Sequence, residues 1–450
     1  MNTLSKNEIY TAAVEALSSD GAGVCRIDGR AVFVKDALPG ETHEIKILKD
    51  SRTAVFAKSE KRLVSSPERI EPDCPHFPKC GGCTMRHASY KTELEAKLQR
   101  VNDAFRRIGH LDLVADEIIG SEKISEYRNK AIYAVGKDGF GFYRPRSHEI
   151  IPISRCALQP EQADIAAKSV CRFMRENEVA AYDEASRKGL IRHVFTRIAF
   201  ASAQMQVTVV SAGGLGAKTK NLVGAILEDL PDVTSIVLNI NKSAGNTVLS
   251  GDFYTLYGSD TIEDRLSSLS FRLSPMSFFQ INPPQAERLY NIAVDLACTG
   301  SPDLVLDLYC GAGTISLCLA KRAKRVIGAE IVPSAIEDAA ANAALNGITN
   351  AEFICADAAK VSKDFALQGI KPDVIVVDPP RKGLTEDVIT AITQMSPQKI
   401  IYISCDPATQ SRDLTLFQSL SYPPKTAKAI DMFPRTNHVE CVVLMSRRDV

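Results

Sequence analysis

The feature that most constrains this chain is a glycine loop after a short apolar stretch near residue 310. The sequence of residues 303–314 predicts a buried strand through Asp307, a loop containing Gly311 and Gly313, and a helix from about Thr314. Glycines let a backbone approach a ligand closely. Because strand and helix signals alternate from about residue 265 onward, we expect a parallel sheet covered by helices. Such sheets bind ligands at the carboxyl ends of their strands.

Two further strand ends indicate the ligand. The apolar run 325–330 ends in Glu330, where a carboxylate can accept hydrogen bonds from both ribose hydroxyls. The run 351–355 leads to Asp357, which suits the edge of an adenine. The glycine loop lacks the third glycine of the dinucleotide fingerprint, since position 316 is serine. These features favour S-adenosylmethionine over a nicotinamide cofactor, with solvated acidic strand ends as the third interpretation.

Two later apolar runs end in side chains suited to chemistry. One is followed by Asp378 and two prolines, which stiffen the loop, and the other by Cys405. Most cysteines are inert core residues, but this one is predicted to lie beside a methyl donor. Carbon 5 of a pyrimidine is too weak a nucleophile to attack a methyl sulfonium. Thiolate addition at carbon 6 creates an enolate that can accept the methyl group. We therefore expect Cys405 to be the nucleophile.

The same chemistry requires a base that removes the carbon 5 proton before the thiolate leaves. The segment 437–444 offers His438 and Glu440, just ahead of a late strand. Glu440 is the better candidate, because the base must hold no proton at neutral pH, and His438 would then orient or pack. Cytosine-5 methylation is the rival reaction, although in RNA it usually uses a second cysteine for release. A catalytically silent RNA-binding factor would need neither Cys405 nor Glu440.

These motifs resemble the bacterial RNA (uracil-5-)-methyltransferases that modify 23S ribosomal RNA. The stretches that carry the resemblance are 274–282, 307–314, 378–383, 404–409 and 438–440. It implies that Cys405 is the nucleophile and Glu440 the base for 5-methyluridine formation. It also implies a set of residues that bind S-adenosylmethionine: Gln280, Tyr309, Glu330 and Asp378. Ribosomal RNA is then the favoured partner, transfer RNA is the alternative, and the target base must flip out of its stack.

The first 60 residues contain short, closely spaced strand signals with glycine and proline turns, which predict a small β-barrel. Such barrels often bind single-stranded nucleic acid, but many do not. The resemblance implies a TRAM domain, which is an RNA-binding module. Because 54 basic and 54 acidic residues give a net charge of zero, any RNA-binding surface must be local.

Three cysteines, Cys74, Cys80 and Cys83, lie within ten residues, with two glycines that allow a tight turn around a metal. Their spacing leaves an iron–sulfur cluster and zinc both open. The resemblance implies a [4Fe–4S] cluster with Cys156 as the fourth ligand. Radical S-adenosylmethionine enzymes usually space their cysteines differently and leave one iron open, so a structural cluster fits better. We expect the cysteines at 25, 171, 298, 310, 318, 355 and 441 to be ordinary buried residues.

The sequence thus predicts an α/β protein of three parts. These are an OB-like barrel at 1–60, a mixed α+β RNA-binding domain with the cluster at 61–265, and a Rossmann-like class I methyltransferase domain at 266–450. A helix at about 90–110 can pack against the methyltransferase domain. No run of about 18 apolar residues suggests a membrane span, and the polar N-terminus lacks a signal peptide. We expect a cytoplasmic monomer without membrane contact.

Overall fold

A computed structural model describes residues 4–51 and 53–448. The N-terminal strands close into a barrel in the order β1-β2-β3-β5-β4, which confirms the predicted barrel. Side chains alternate between inside and outside, so that Ile45 and Ile47 are fully buried. The last strand extends the barrel to Val64. The strands are β1 (Ile9–Leu17), β2 (Gly23–Ile27), β3 (Arg30–Val34), β4 (Thr42–Asp50) and β5 (Val55–Val64).

The central part of the chain forms a mixed sheet of seven strands, in the order β13-β12-β11-β10-β7-β8-β9. Helices α2 (Glu161–Glu176) and α3 (Thr219–Asp229) bury their apolar stripes on one core with Val194 and Val207. A 3₁₀ turn, Gly216–Lys218, precedes α3. The strands are β7 (Lys130–Gly136), β8 (Gly139–Tyr143), β9 (Ile150–Pro152), β10 (Ile191–Ile198), β11 (Met205–Ser211), β12 (Ser235–Ile240) and β13 (Asp252–Gly258).

The C-terminal part contains an eight-stranded sheet, in the order β18-β17-β16-β19-β20-β22-β21-β6. Strands β16 to β20 are parallel, and β22 runs antiparallel to both of its neighbours. The predicted parallel sheet is thereby confirmed. The strands after the short hairpin of β14 (Ile262–Leu266) and β15 (Leu269–Leu273) are β16 (Leu304–Leu308), β17 (Arg325–Glu330), β18 (Ala351–Cys355), β19 (Val374–Val377), β20 (Lys399–Ser404), β21 (Pro424–Ile430) and β22 (Glu440–Ser446).

Helices cover both faces of this sheet, and the sheet separates two apolar cores. They are α4 (Pro283–Ala297), α5 (Thr314–Ala320), α6 (Pro333–Leu345), α7 (Ala358–Leu367), α8 (Glu386–Gln394) and α9 (Pro407–Ser419). In the described part of the chain, no helix combines the length and the apolar character that crossing a membrane requires.

Two elements from the middle of the chain also join this unit. Helix α1 (Tyr90–Arg107) buries Val101 and Phe105 in the same core as residues of α9. Strand β6 (Ala115–Ile119) pairs in parallel with β21 at the edge of the catalytic sheet. The sequence analysis placed 115–119 in the central domain, and the structure corrects this. A five-residue strand carries no local signal of its partner, because register and sheet membership depend on long-range packing.

Candidate active site

Cys405 and Glu440 meet at the carboxyl edge of the catalytic sheet. Strand β20 pairs antiparallel with β22, and Ser404 lies opposite Cys441. The register therefore directs Cys405, the next residue outward, towards Glu440. Cys405 is half-buried, and the Glu440 side chain is almost fully buried. The two residues that the sequence singled out as nucleophile and base thus come together through strand pairing.

The turn after β20 holds Cys405 from both sides. The Ser404 hydroxyl accepts a hydrogen bond from the Asp406 backbone amide at 3.1 Å. The Asp406 carboxylate caps α9 by accepting bonds from the amides of Ala408, at 2.9 Å, and Thr409, at 3.2 Å. Because both of its neighbours bond to the backbone, the position of Cys405 is well defined.

Three acidic groups share this end of the sheet. Burial raises the pKa of Asp378, which follows β19, to about 7. Burial and then the charge of Asp378 raise the pKa of Glu440 to about 8. Burial and then the charge of Glu440 raise the pKa of the Cys405 thiol to about 11. With this pKa, Glu440 is mostly protonated at pH 7, and it would have to lose that proton to serve as the base that the sequence predicts.

The glycine loop leaves space for a ligand beside β16 and β17. Gly311 and Gly313 have φ values of +54° and +80°, and a Cβ on Gly311 would meet no atom within 4 Å. The Glu330 carboxylate accepts hydrogen bonds from the amides of Ile331, at 2.8 Å, and Gly311, at 3.3 Å. An open glycine cradle beside a carboxylate fits the ribose and amino-acid parts of S-adenosylmethionine.

The other predicted cofactor residues surround the same loop. Tyr309 lies at its start with φ of +69°. Gln280 is 8% exposed, and its backbone carbonyl accepts a hydrogen bond from the Asn129 side-chain amide at 2.9 Å. Ile331 is 60% exposed directly after Glu330, which provides an apolar surface of the kind an adenine ring packs on. Asp357, in contrast, caps α7 by accepting a hydrogen bond from Ala359 at 2.9 Å.

Sequence reasoning missed Tyr290, a buried residue of α4. Its hydroxyl lies 3.4 Å from the Thr314 hydroxyl and close to the Gln280 side chain. Burial and then the charge of Asp378 raise the pKa of Tyr290, so the phenol is protonated and can donate a hydrogen bond. In the sequence, a tyrosine on the apolar face of a helix is indistinguishable from an ordinary core residue, so the pattern did not indicate a role for Tyr290 in the site.

A buried ion group supports the segment that leads to Glu440. Lys97, on α1, places its ammonium 2.7 Å from Glu93 Oε1 and 2.7 Å from Asp431 Oδ1. All three side chains are buried, and Tyr90 donates a further hydrogen bond to Asp431 at 2.8 Å. The sequence gave no indication of this group, because a lysine four residues after a glutamate is usually a solvated helix pair.

The four cysteines proposed as cluster ligands line a single cavity: Cys74, Cys80, Cys83 and Cys156. Arg86 donates a hydrogen bond to Cys83 Sγ at 3.5 Å, and Arg128 also lines the cavity. Burial raises the pKa of Cys156 to about 12. Within residues 4–51 and 53–448, however, no three His, Cys, Asp or Glu side chains are arranged to hold a metal ion. The thiols share a cavity without forming a closed coordination site.

The remaining cysteines follow the sequence prediction with one exception. Six of them are buried: Cys25, Cys171, Cys298, Cys310, Cys318 and Cys441. Cys355 was also expected to be buried and is instead exposed. It ends β18, the outermost strand of the catalytic sheet, where no neighbouring strand covers it on the outer side.

Comparison with known sequences gives two family matches. Residues 89–448 match the family described as tRNA (Uracil-5-)-methyltransferase, and residues 5–59 match the TRAM domain. A protein of Clostridium tetani, named an uncharacterized RNA methyltransferase, is 39% identical over 98% of this chain and 97% of its own length. A protein of the same description from Listeria innocua is 41% identical over 98% of both chains.

A solved structure is similar over the entire molecule. It is the Pyrococcus abyssi tRNA (uracil-54, C5)-methyltransferase in complex with S-adenosyl-L-homocysteine. The TM-score is 0.80 at 28% sequence identity, and the match covers 97% of this chain and 100% of the other. The similarity therefore includes the barrel and the central sheet as well as the catalytic sheet.

Proposed function

Because the chain belongs to the tRNA (uracil-5-)-methyltransferase family, and is thus an S-adenosylmethionine-dependent RNA methyltransferase, we propose that Cys405 and Glu440 carry out methylation of a uridine in 23S ribosomal RNA. The register of β20 with β22 carries the proposal, since it directs the thiol towards the carboxyl group. A silent RNA-binding factor would not need these two groups side by side.

In the proposed mechanism, the Cys405 thiolate adds to carbon 6 of a flipped uracil, and the ring electrons move to the carbonyl oxygen at carbon 4. Bound S-adenosylmethionine would supply the methyl group to carbon 5, which takes it with the enolate electron pair, and S-adenosylhomocysteine would be the leaving group. The Glu440 carboxylate then removes the carbon 5 proton. The double bond between carbons 5 and 6 re-forms as the carbon–sulfur bond breaks, so Cys405 leaves as a thiolate. Glu440 finally returns its proton to solvent.

We assign the binding of S-adenosylmethionine to four residues around the glycine loop: Gln280, Tyr309, Glu330 and Asp378. Glu330 is suited to the ribose hydroxyls, because its carboxylate lies at the end of β17 next to Gly311. In strand order, Asp378 lies between the cofactor loop and Cys405, where a carboxyl group can bind the cofactor or the target uracil. The Tyr290 hydroxyl lies close to the Gln280 side chain and can hold it in position by a hydrogen bond.

We also propose that Cys74, Cys80, Cys83 and Cys156 hold a [4Fe–4S] cluster. The donor set supports this proposal, since four free thiols line one cavity and two arginines can offset their charge as thiolates. Such a cluster would connect the segment 74–83 to the central domain. Zinc is the competing ligand for the same four sulfurs.

The choice of ribosomal RNA depends on the presence of both a barrel and a four-cysteine cavity in one chain, a combination typical of the ribosomal-RNA branch that the motifs resemble. Transfer RNA is the second candidate, because the structurally similar Pyrococcus abyssi enzyme is a transfer-RNA methyltransferase. Because the match with that enzyme covers 97% of this chain, it includes the barrel, and the barrel alone therefore does not distinguish ribosomal RNA from transfer RNA as the substrate.

The substrate is tested by mapping 5-methyluridine by mass spectrometry in ribosomal and transfer RNA from a strain that lacks this protein. Loss of one or more sites in 23S ribosomal RNA, restored by the wild-type gene and not by a Cys405→Ala gene, is the expected result. Loss confined to transfer RNA would replace the proposed substrate with the second candidate.

A further inference from the structure

A charged side chain that the mechanism has not used lies at the reacting centre. Arg381 follows the two prolines after Asp378, and its side chain is exposed. The Arg381 carbonyl accepts a hydrogen bond from the Thr409 hydroxyl at 3.1 Å, which fixes its backbone to the first turn of α9. Its guanidinium Nη2 lies 3.4 Å from His438 Nε2. Arg381 is therefore held between the helix after Cys405 and the segment before Glu440.

His438 can accept a hydrogen bond from Arg381 only when its Nε2 carries no proton, since arginine has donors but no acceptor. Burial lowers the pKa of His438 to about 4, and the nearby cations, led by Arg381 and Arg100, act in the same direction. The imidazole is consequently neutral at physiological pH. This also makes it a weaker base than Glu440, whose pKa is about 8.

The electrostatic surroundings of Cys405 oppose its ionisation. Apart from burial, three carboxyl groups from three different elements raise the pKa of the thiol when they are ionised: Glu440, Asp378 and Asp406. Two cations face it, Arg381 from the loop after β19 and Arg100 from α1. Arg100 donates a hydrogen bond to the Asn437 carbonyl at 2.6 Å, whereas the Arg381 side chain is exposed and its guanidinium lies beside His438.

We propose that Arg381 is the cation that stabilises the Cys405 thiolate, and that His438 is the positioning residue that holds the guanidinium in place. The inference builds on the proposed role of Cys405. Ionisation releases the thiol proton to solvent, and the guanidinium opposes the negative charge left on the sulfur. The structure thereby gives His438 a function other than proton transfer.

Alkylation of Cys405 by iodoacetamide tests this proposal in the full-length protein without RNA. The thiolate displaces iodide, so the rate at a fixed pH below the thiol pKa is proportional to the thiolate fraction. The rate is followed between pH 7 and 9 by mass spectrometry of the peptide that contains Cys405. Arg381→Met should lower the rate by about tenfold, equivalent to an increase of about one unit in the thiol pKa. Arg381→Lys should lower it less.

Substitutions of His438 test the positioning role separately. His438→Leu removes the acceptor and should slow alkylation by about threefold, whereas His438→Gln keeps an acceptor oxygen and should restore most of the rate. Arg325→Met is the matched control. Arg325 begins β17 at the opposite edge of the sheet and pairs with Glu352, so its loss should leave the rate unchanged.

An unchanged rate in Arg381→Met, or an equal decrease in Arg325→Met, would overturn the role of Arg381. Equal rates in His438→Leu and His438→Gln would overturn the role of His438. Thermal unfolding and S-adenosylmethionine binding of each variant show that the fold is kept. Because alkylation needs no methyl transfer, this test can fail while Cys405 remains the nucleophile, and the Cys405→Ala assay decides that point independently.

Discussion

The molecule contains two thiol sites that are built in different ways. Cys405 lies at a strand end, and neighbouring strands bring Asp378 and Glu440 to the same edge of the sheet. The cysteines at 74, 80, 83 and 156 instead lie outside strands and helices, and they share a cavity without a closed arrangement of ligands. Strand register alone brings the side chains of the first site together, whereas the proposed [4Fe–4S] cluster would be what draws the four thiols of the cavity together. We therefore expect the first site to depend on single side chains and the second on metal.

The largest loss of methyl transfer is expected from removing the single thiol of the first site, Cys405. Cys405→Ala should reduce methyl transfer by at least about 10³-fold, because no covalent adduct can form, and should leave RNA affinity largely unchanged. Single-turnover methylation and an RNA-binding titration measure the two effects. Cys355→Ala, which removes an exposed thiol from the same sheet, is the matched control. Turnover of Cys405→Ala within tenfold of wild type would refute the covalent mechanism.

A second prediction concerns the proton on Glu440. Since the pKa of this carboxyl is raised to about 8 and the base must be ionised, kcat/KM should fall as the pH decreases below 8. Well below pH 8 the decrease should approach about 100-fold per pH unit, because Glu440 and the Cys405 thiol must each lose a proton, whereas the thiol alone would give about tenfold. S-adenosylmethionine binding, measured over the same range, separates this effect from titration of Asp378. A rate independent of pH between 6 and 8 would exclude Glu440 as the base.

Replacing a cysteine of the cavity should affect catalysis less than replacing Cys405, and it should mainly reduce the metal content of the protein. Anaerobically purified protein should contain about four irons per chain, and Cys83→Ser should lose most of them. Methylation should then fall by about tenfold, because the amides of Thr84 and Met85 bond to the Arg435 carbonyl in the segment before Glu440. Cys171→Ser, which changes a buried cysteine of α2, should keep its iron. Zinc, or no metal, in the wild-type protein would overturn the cluster.

The same contrast explains what the sequence could predict. The apolar runs that end in Asp378 and Cys405 mark both the strands and the edge at which they meet, since parallel strands share one carboxyl edge. The closed barrel followed in the same way from short alternating strands. The partner of β6 could not be predicted, and neither could the buried Lys97 or the link between Arg381 and His438. These features depend on contacts between segments far apart in the chain, which no local pattern specifies.

The central claim is that Cys405 forms a covalent bond with the target uracil and that Glu440 removes the carbon 5 proton before release. It is tested most directly by incubating Glu440→Gln with target RNA and S-adenosylmethionine, followed by denaturation and mass spectrometry. The account predicts an RNA–protein adduct through Cys405 that carries the added methyl group, and no adduct in Glu440→Gln combined with Cys405→Ala. Methylated free RNA without any adduct would contradict it, because the proton would then leave through another base.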